Sequence, residues 1–455
     1  MDKTKLILGL LFIGVLMGAL DISIVGPAIP SIDKALNLTE KEVSWIFSIY
    51  ILFSLMGISM FARLSDRYGR KPFYILAVLI FGTGSLFAAL AHSIRFLLIG
   101  RAIQGFGASG IFPVASATVG DVFPQEKRGR ALGLIGMVFG LAFLTGPLLA
   151  GIMLKYFSWN SLFLINIPFV IIIIFGSFRL LPGKINQGDT YIDWKGIISL
   201  GIFLSAMTIG LNNMKFGGLS QILTDIHVYL FFIVAIIAFV FFILIERVSR
   251  HPVVDIQLFN LKQVRLVGFL ALGTGLFQAS FVFVPNMIVK AFGVAPYEAS
   301  FMLLPFVVSM VITSPVSGRM IDKFGSRLVI NFAFLFIGIG FIIISLLDLT
   351  KITLYLSEVF LGMGLSVLAG SSLRYIMLNE VGPGDRASAQ GVITIMISLG
   401  QIAASSFIGT ITSGYDEVIE AYKVVFIIMT ILTLILGLFS LRLKSRKEEI
   451  NSFKS

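Results

Sequence analysis

Long apolar runs separated by short polar loops dominate the chain. A helix that crosses a bilayer needs about 20 mostly apolar residues. Fourteen runs meet that need, at roughly 5–28, 43–62, 72–92, 95–119, 129–153, 160–180, 194–212, 227–246, 265–289, 298–317, 327–347, 352–378, 387–411 and 422–442. The seventh is short and runs into Asn212, Asn213 and a Gly-rich turn. The polar loops alternate in charge. With the N-terminus inside, inside segments collect Arg63, Arg67, Arg70, Lys71, Lys127, Arg128 and Arg130, while outside loops hold one or two cations each. Cytoplasmic loops are the basic ones, so both termini are expected in the cytoplasm. Lys3 and Lys5 precede a long first run without a small-residue cleavage site, which predicts a retained helix and not a signal peptide.

The loops also repeat. ARLSDRYGRK at 62–71 matches GRMIDKFGSR at 318–327, pairing Asp66 with Asp322, Gly69 with Gly325 and Lys71 with Arg327 at an offset of 256. Gly105 and Gly107 match Gly362 and Gly364 at 257, and Arg128 and Gly133 match Arg386 and Gly391 at 258. Both copies lie on the same side, so the repeat is parallel, about an axis along the membrane normal. The predicted organisation is a six-helix bundle over 1–183, two inserted helices over 184–260, a second six-helix bundle over 261–445 and a cytoplasmic tail over 446–455.

Composition narrows the class. Of 455 residues, 57% are hydrophobic and 13% charged, against about 25% charged in soluble domains. This is the composition of an all-α integral membrane protein. The net charge of +11 follows from basic inside loops and is not taken to imply a nucleic-acid partner. There is no cysteine, and His92, His227 and His251 are far apart, so no metal-ligand pattern exists in the sequence. No nucleotide-binding loop or nucleophile–base pair is apparent, so neither an enzyme nor a cofactor is expected.

The pattern resembles the major facilitator superfamily. LSDRYGRK at 64–71 is similar to the family's loop between helices two and three; the resemblance implies a gating latch made by Asp66, Arg67, Gly69, Arg70 and Lys71, with Asp322, Gly325 and Arg327 in the second copy. Ala62 stands where the family usually has Gly. RAIQGFGASG at 101–110 resembles the fourth-helix motif. The small residues from Gly133 to Gly151, with Gly146-Pro147, resemble the fifth-helix antiporter motif, although two of its glycines are Ala here. LDISIVGPAIP at 20–30, WNSLFLINIPF at 159–169, the Asp193-Trp-x-Gly start and ERVSRHPVVDIQLF at 246–259 resemble the fourteen-helix drug:proton antiporters, with Gly26-Pro27 departing from that pattern.

Three ionisable groups lie inside predicted spans. Asp21 is about seven residues before the outer end of the first; Arg101 and Glu358, 257 residues apart, occupy equivalent depths in the fourth and twelfth. Charge at such depth is costly and calls for a use. By the resemblance, all three face one central chamber. Asp21 and Glu358 are the expected proton-coupling groups and Arg101 their charge partner. Each has a plainer alternative: Asp21 as a neutral acid bonded for packing, Arg101 as a tie to backbone carbonyls, Glu358 as a solvated outer residue. Ser23, Trp45, Tyr50, Gln104, Phe143, Gln278 and Asn286 are candidate substrate contacts that could equally be packing residues. The expected function is proton-driven export of amphipathic cationic drugs or antiseptics by a monomer in the plasma (inner) membrane, using the proton gradient and no cofactor. The alternatives are export or flipping of an endogenous metabolite or lipid-linked compound, and a non-transport scaffold.

Overall fold

The computed structural model describes residues 3–123, 125–183, 193–213, 225–249, 252–254, 256–380 and 386–452. Within its helices the side chains of Asp66, Arg67, Phe143 and Asp322 lie outside the described residues, so their expected roles are not addressed. No strand occurs among the described residues. Five long helices open the chain: α1 (Lys3–Leu36), α2 (Glu40–Tyr68), α3 (Arg70–Ala89), α4 (Ile94–Val122) and α5 (Gln125–Tyr156). The sixth span is split into α6 (Asn160–Leu164) and α7 (Asn166–Leu180). Then come α8 (Trp194–Asn213) and α9 (Ile226–Val248), the pair expected as an insertion. The rest consists of α10 (Lys262–Val282), α11 (Val284–Phe292), α12 (Pro296–Met302), α13 (Leu304–Phe324), α14 (Ser326–Leu346), α15 (Lys351–Val367), α16 (Leu373–Glu380), α17 (Arg386–Thr412), α18 (Val418–Ser440) and a short α19 (Arg446–Ser452).

Thirteen segments among the described residues are long and apolar enough to cross a bilayer. With α5, 32 residues long, they account for every expected span. Several spans are broken, and the breaks sit just before prolines. Ile165 interrupts the sixth span ahead of Pro168, Phe283 the ninth ahead of Pro285, and Leu303 the tenth ahead of Pro305. Proline has no N–H and crowds the carbonyl four residues back. Pro27, Pro30, Pro113, Pro147 and Pro315 nevertheless lie inside unbroken helices. The twelfth span is interrupted by a π-helical turn, Leu368–Ser372, in which Gly370 leaves helical geometry.

The sequence repeat is also a packing repeat. A Cβ on Gly84 of α3 would overlap the Gln104 amide of α4; a Cβ on Gly340 of α14 would overlap Leu361 of α15. Gly105 abuts the Tyr50 carbonyl, and Gly362 abuts the Phe306 carbonyl. Each contact recurs in the second half at an offset of 256 or 257. The signature turns match as well. Gly69 (φ 98°) joins α2 to α3, and Gly325 (φ 87°) joins α13 to α14. Those angles favour glycine.

The two turns are buttressed differently. Arg70, beside Gly69, bonds Asp121 Oδ2 at the end of α4 (2.9 Å) and Ser65 Oγ (2.9 Å), and Lys71 Nζ donates to the Phe178 carbonyl (2.6 Å). Beside Gly325, Ser326 donates its N–H and its hydroxyl to Glu449 of α19. Lys444, just before α19, pairs with Glu380 of α16 at 2.5 Å.

Packing separates the chain into two compact units, Met1–Ser205 with Ala295–Ser300, and Ala206–Val294 with Phe301–Ser455. The division falls within α8. Helix α9 carries many exposed large apolar side chains, Ile236, Phe241 and Leu244 among them, as a lipid-facing helix does.

Candidate functional site

In the first unit the close α3–α4 contact at Gly84 places Ser85 next to Gln104, and α1 brings Asp21 to the same point. Asp21 is buried, at 3% exposure, and Arg101 at 1%. Arg101 Nη1 donates to Asp21 Oδ2 at 2.6 Å and to Gln104 Oε1 at 2.6 Å. Gln104 Nε2 donates to Asp21 Oδ1 (2.6 Å) and to Ser85 Oγ (2.7 Å). Asn166, at the start of α7, donates to Asp21 Oδ1 (3.2 Å) and Ser85 Oγ (3.0 Å). Beneath the guanidinium lies the Tyr50 ring, 4.2 Å away, and Arg101 Nε reaches the Ile46 carbonyl at 3.4 Å.

This is a buried ion pair with its remaining valences filled. Taking two charges out of water is costly, and attraction repays it only when extra hydrogen bonds complete the geometry. Here two amides supply them. Asp21 accepts from three donors, one of them a cation. Removing either charge would leave the other buried and alone, at a cost on the order of 3–5 kcal/mol.

In the second unit Glu358 is fully buried, at 0% exposure, so it is not a solvated outer residue. Neither carboxyl oxygen has a hydrogen-bond partner of normal geometry among the described residues. The helix packed beside it, α13, begins at Leu304, and the amides of its first turn lack an intrahelical acceptor. Gly362, one turn beyond Glu358, lies against the Phe306 carbonyl and Ser309 Oγ. The Phe306 ring is stacked on Phe281.

Among the sequence-derived candidates, Asp21, Arg101, Gln104 and Tyr50 come together. Ser23 is occupied in packing: its hydroxyl reaches the Leu20 carbonyl (2.9 Å) and the Ala142 carbonyl of α5 (3.0 Å), and Gly146 leaves room for it. Pro147 is buried in the unbroken α5. Trp45 is half-buried and outside the network. In the second unit Gln278 accepts from Gln401 at 2.9 Å, and the buried Asn286 amide nitrogen has no partner among the described residues. Arg327 is half-buried at the start of α14.

Ser85, Asn166 and Asp121 were not anticipated. Asn166 stands in the quoted WNSLFLINIPF stretch, so a polar residue inside an apolar signature was the available signal. Asp193, at the start of α8, accepts from the Gly196 N–H (2.7 Å), and Glu246 accepts from the Val254 N–H (2.9 Å). Asp193 caps its helix and Glu246 holds the loop that follows its own, both in stretches the sequence had singled out. Among the described residues no cluster of His, Cys, Asp or Glu could hold a metal.

Comparison with known proteins gives a consistent picture. A family profile described as Major Facilitator Superfamily matches residues 11–283 and 266–454. "Multidrug resistance protein 3" of Bacillus subtilis (strain 168) is 29% identical over 417 residues, 90% of this chain and 80% of that protein. "Riboflavin transporter RibZ" of Clostridioides difficile (strain 630) is 26% identical over 81% of this chain and 80% of its own length. A crystal structure of an auto-inhibited POT family peptide transporter superposes with a TM-score of 0.70 at 15% identity, covering 98% of both chains. That structural likeness speaks to fold.

Proposed function

The chain belongs to the Major Facilitator Superfamily and is a multi-pass membrane transporter, and from that premise we propose that it is a proton-coupled antiporter exporting amphipathic, cationic compounds across the plasma membrane. The observation that carries the reading is the Asp21–Arg101 pair at 2.6 Å, buried in a transport fold. A permanent counter-ion on the protein keeps the empty site neutral. A cationic cargo can take the place of Arg101 beside Asp21, while the two amides hold the carboxylate in position. One positive charge then replaces another beside Asp21, and the displaced Arg101 turns to its remaining contacts, Gln104 Oε1, the Ile46 carbonyl and the Tyr50 ring. The proton gradient is the energy source, and coupling runs through a buried carboxyl group. The relative named as a multidrug resistance protein supports this cargo class.

The relative named as a riboflavin transporter favours a second reading, export of an endogenous metabolite or lipid-linked compound by the same fold. The test is purified protein in vesicles carrying a pH gradient, challenged with a panel of cationic amphipaths and with neutral compounds including riboflavin. Cationic compounds should dissipate the gradient with the wild type and not with Asp21→Asn. Gradient loss with neutral compounds alone would select the second reading. Should no compound move protons through the wild-type protein, the antiport proposal fails.

A further inference from the structure

We propose that Glu358, and not Asp21, is the group that takes up and releases the transported proton, and that the first turn of α13 receives its charged form. This inference rests on the proton-coupled reading above and assigns the two carboxyl groups different duties.

The physical contrast starts with donors. Asp21 has three, including a guanidinium, and both of its carboxylate oxygens are engaged. Glu358 has none among the described residues. A buried carboxylate without a partner is strongly disfavoured, so the arrangement suits the protonated acid. To release its proton the side chain needs donors close by.

The break in the tenth span supplies them. Leu303 separates α12 from α13, and Pro305 prevents the two from merging into one ladder. The start of a helix presents unsatisfied amides and the positive end of its dipole, both favourable to an anion. Gly362, one turn beyond Glu358, holds α15 in backbone contact with Phe306 in the first turn of α13. On ionising, the carboxyl turns toward those amides.

Among the described residues of the helices packed against α15, the charged positions lie away from Glu358. On α13 the charged residues Arg319, Asp322 and Lys323 lie 13 or more positions beyond Phe306, roughly 20 Å or more along the helix. On α10, Lys262 and Arg265 are confined to the first turn, and on α14 Arg327 is likewise at the start. On α15 itself, Lys351 begins the helix and is exposed, seven positions before Glu358. Glu298, at the start of α12, is exposed and accepts from the N–H of Ala295. The partners that fix Asp21 have no counterparts: the positions equivalent to Asp21, Ser85 and Gln104 are Phe277, Phe341 and Leu361.

The test uses the full chain in vesicles and reads three quantities: binding of a cationic compound that the wild type exports, exchange of labelled compound across the membrane without a gradient, and uphill transport driven by a pH gradient. Glu358→Gln should bind the compound within about twofold of wild type and keep exchanging it. Its uphill transport should fall at least tenfold, and its exchange rate should no longer depend on pH. Glu358→Asp should restore the pH dependence. Asp21→Asn should lose binding, with any residual exchange keeping its pH dependence. Uphill transport by Glu358→Gln near the wild-type rate, or loss of pH dependence in Asp21→Asn alone, would overturn the assignment. A wild type that moves no protons fails the antiport reading itself, a result distinct from either.

Discussion

One buried layer of the first unit and its counterpart in the second share a backbone frame and carry opposite chemistry. Around position 101 a guanidinium meets Asp21, Gln104 and the Tyr50 ring, and an amide and a hydroxyl close the network. At position 358, 257 residues on, a carboxyl occupies the same place in the repeat. The matching partners have become Phe277, Phe341 and Leu361, the two rings packed 5.6 Å apart. Phe306 stands where Tyr50 stands, and the glycine contacts that set helix spacing are the same in both. The spacing residues set the architecture, and the residues between them are free to make one layer a filled ion pair and the other a lone acid in apolar surroundings. A transporter built from two copies can thereby hold a filled ion pair in one half and an acid without a hydrogen-bond partner among the described residues in the other.

The largest expected effect comes from removing one side of the filled pair. Arg101→Met should lower stability by about 3–5 kcal/mol by leaving Asp21 alone, read as a drop in melting temperature in detergent. The double variant Asp21→Leu with Arg101→Met should recover most of that loss. No recovery would mean that Arg101 acts through its contacts to Tyr50 and the Ile46 carbonyl and not through the pair. Next, Gly105→Ala and Gly362→Ala should each destabilise by about 1–3 kcal/mol through backbone overlap. The two losses should be similar, since the contacts are repeat-related; a cost confined to one half would break the shared frame.

Asn166→Ala removes one of the donors to Asp21 and one to Ser85, and should cost about 1–2 kcal/mol. The repeat layer of the second unit has no such dependence on an amide. The smallest effect is expected from Leu361→Gln, which places at the second copy the amide found at Gln104. Burial of the amide should be largely offset by a bond to Glu358, leaving a net change of about 1 kcal/mol or less. Its use is diagnostic: a donor three positions along the same helix should change the pH dependence of exchange if Glu358 carries the proton, and leave it unchanged if another group does.

Much of the frame is legible in the chain. Apolar runs gave the spans because the bilayer sets their length, and the repeat emerged because Gly69 and Gly325 must both adopt a backbone angle that excludes most other residues. Asp21 and Arg101 stood out because charge within an apolar run is rare. Ser85 and Asn166 could not be read in the same way. A hydroxyl or an amide in a membrane helix costs little by itself, and only the α3–α4 approach at Gly84 and the turn at Ile165 bring these two to Asp21. The break at Leu303, which sets the start of α13, is no easier to read. Proline marks that break, but five other prolines sit in continuous helices, so proline alone does not locate it.

The contact between Glu449 and Ser326 bears on how the protein should be handled. The segment after α18 resembles a trailing end on paper, yet it closes the start of α14 and, through Lys444, ties down α16. Trimming the chain at Leu441 to ease crystallisation would strip the Ser326 amide and hydroxyl of their acceptor and leave Glu380 without its cation. Shortened versions should therefore keep everything through Ser452, and any fluorescent or affinity fusion belongs beyond a flexible spacer.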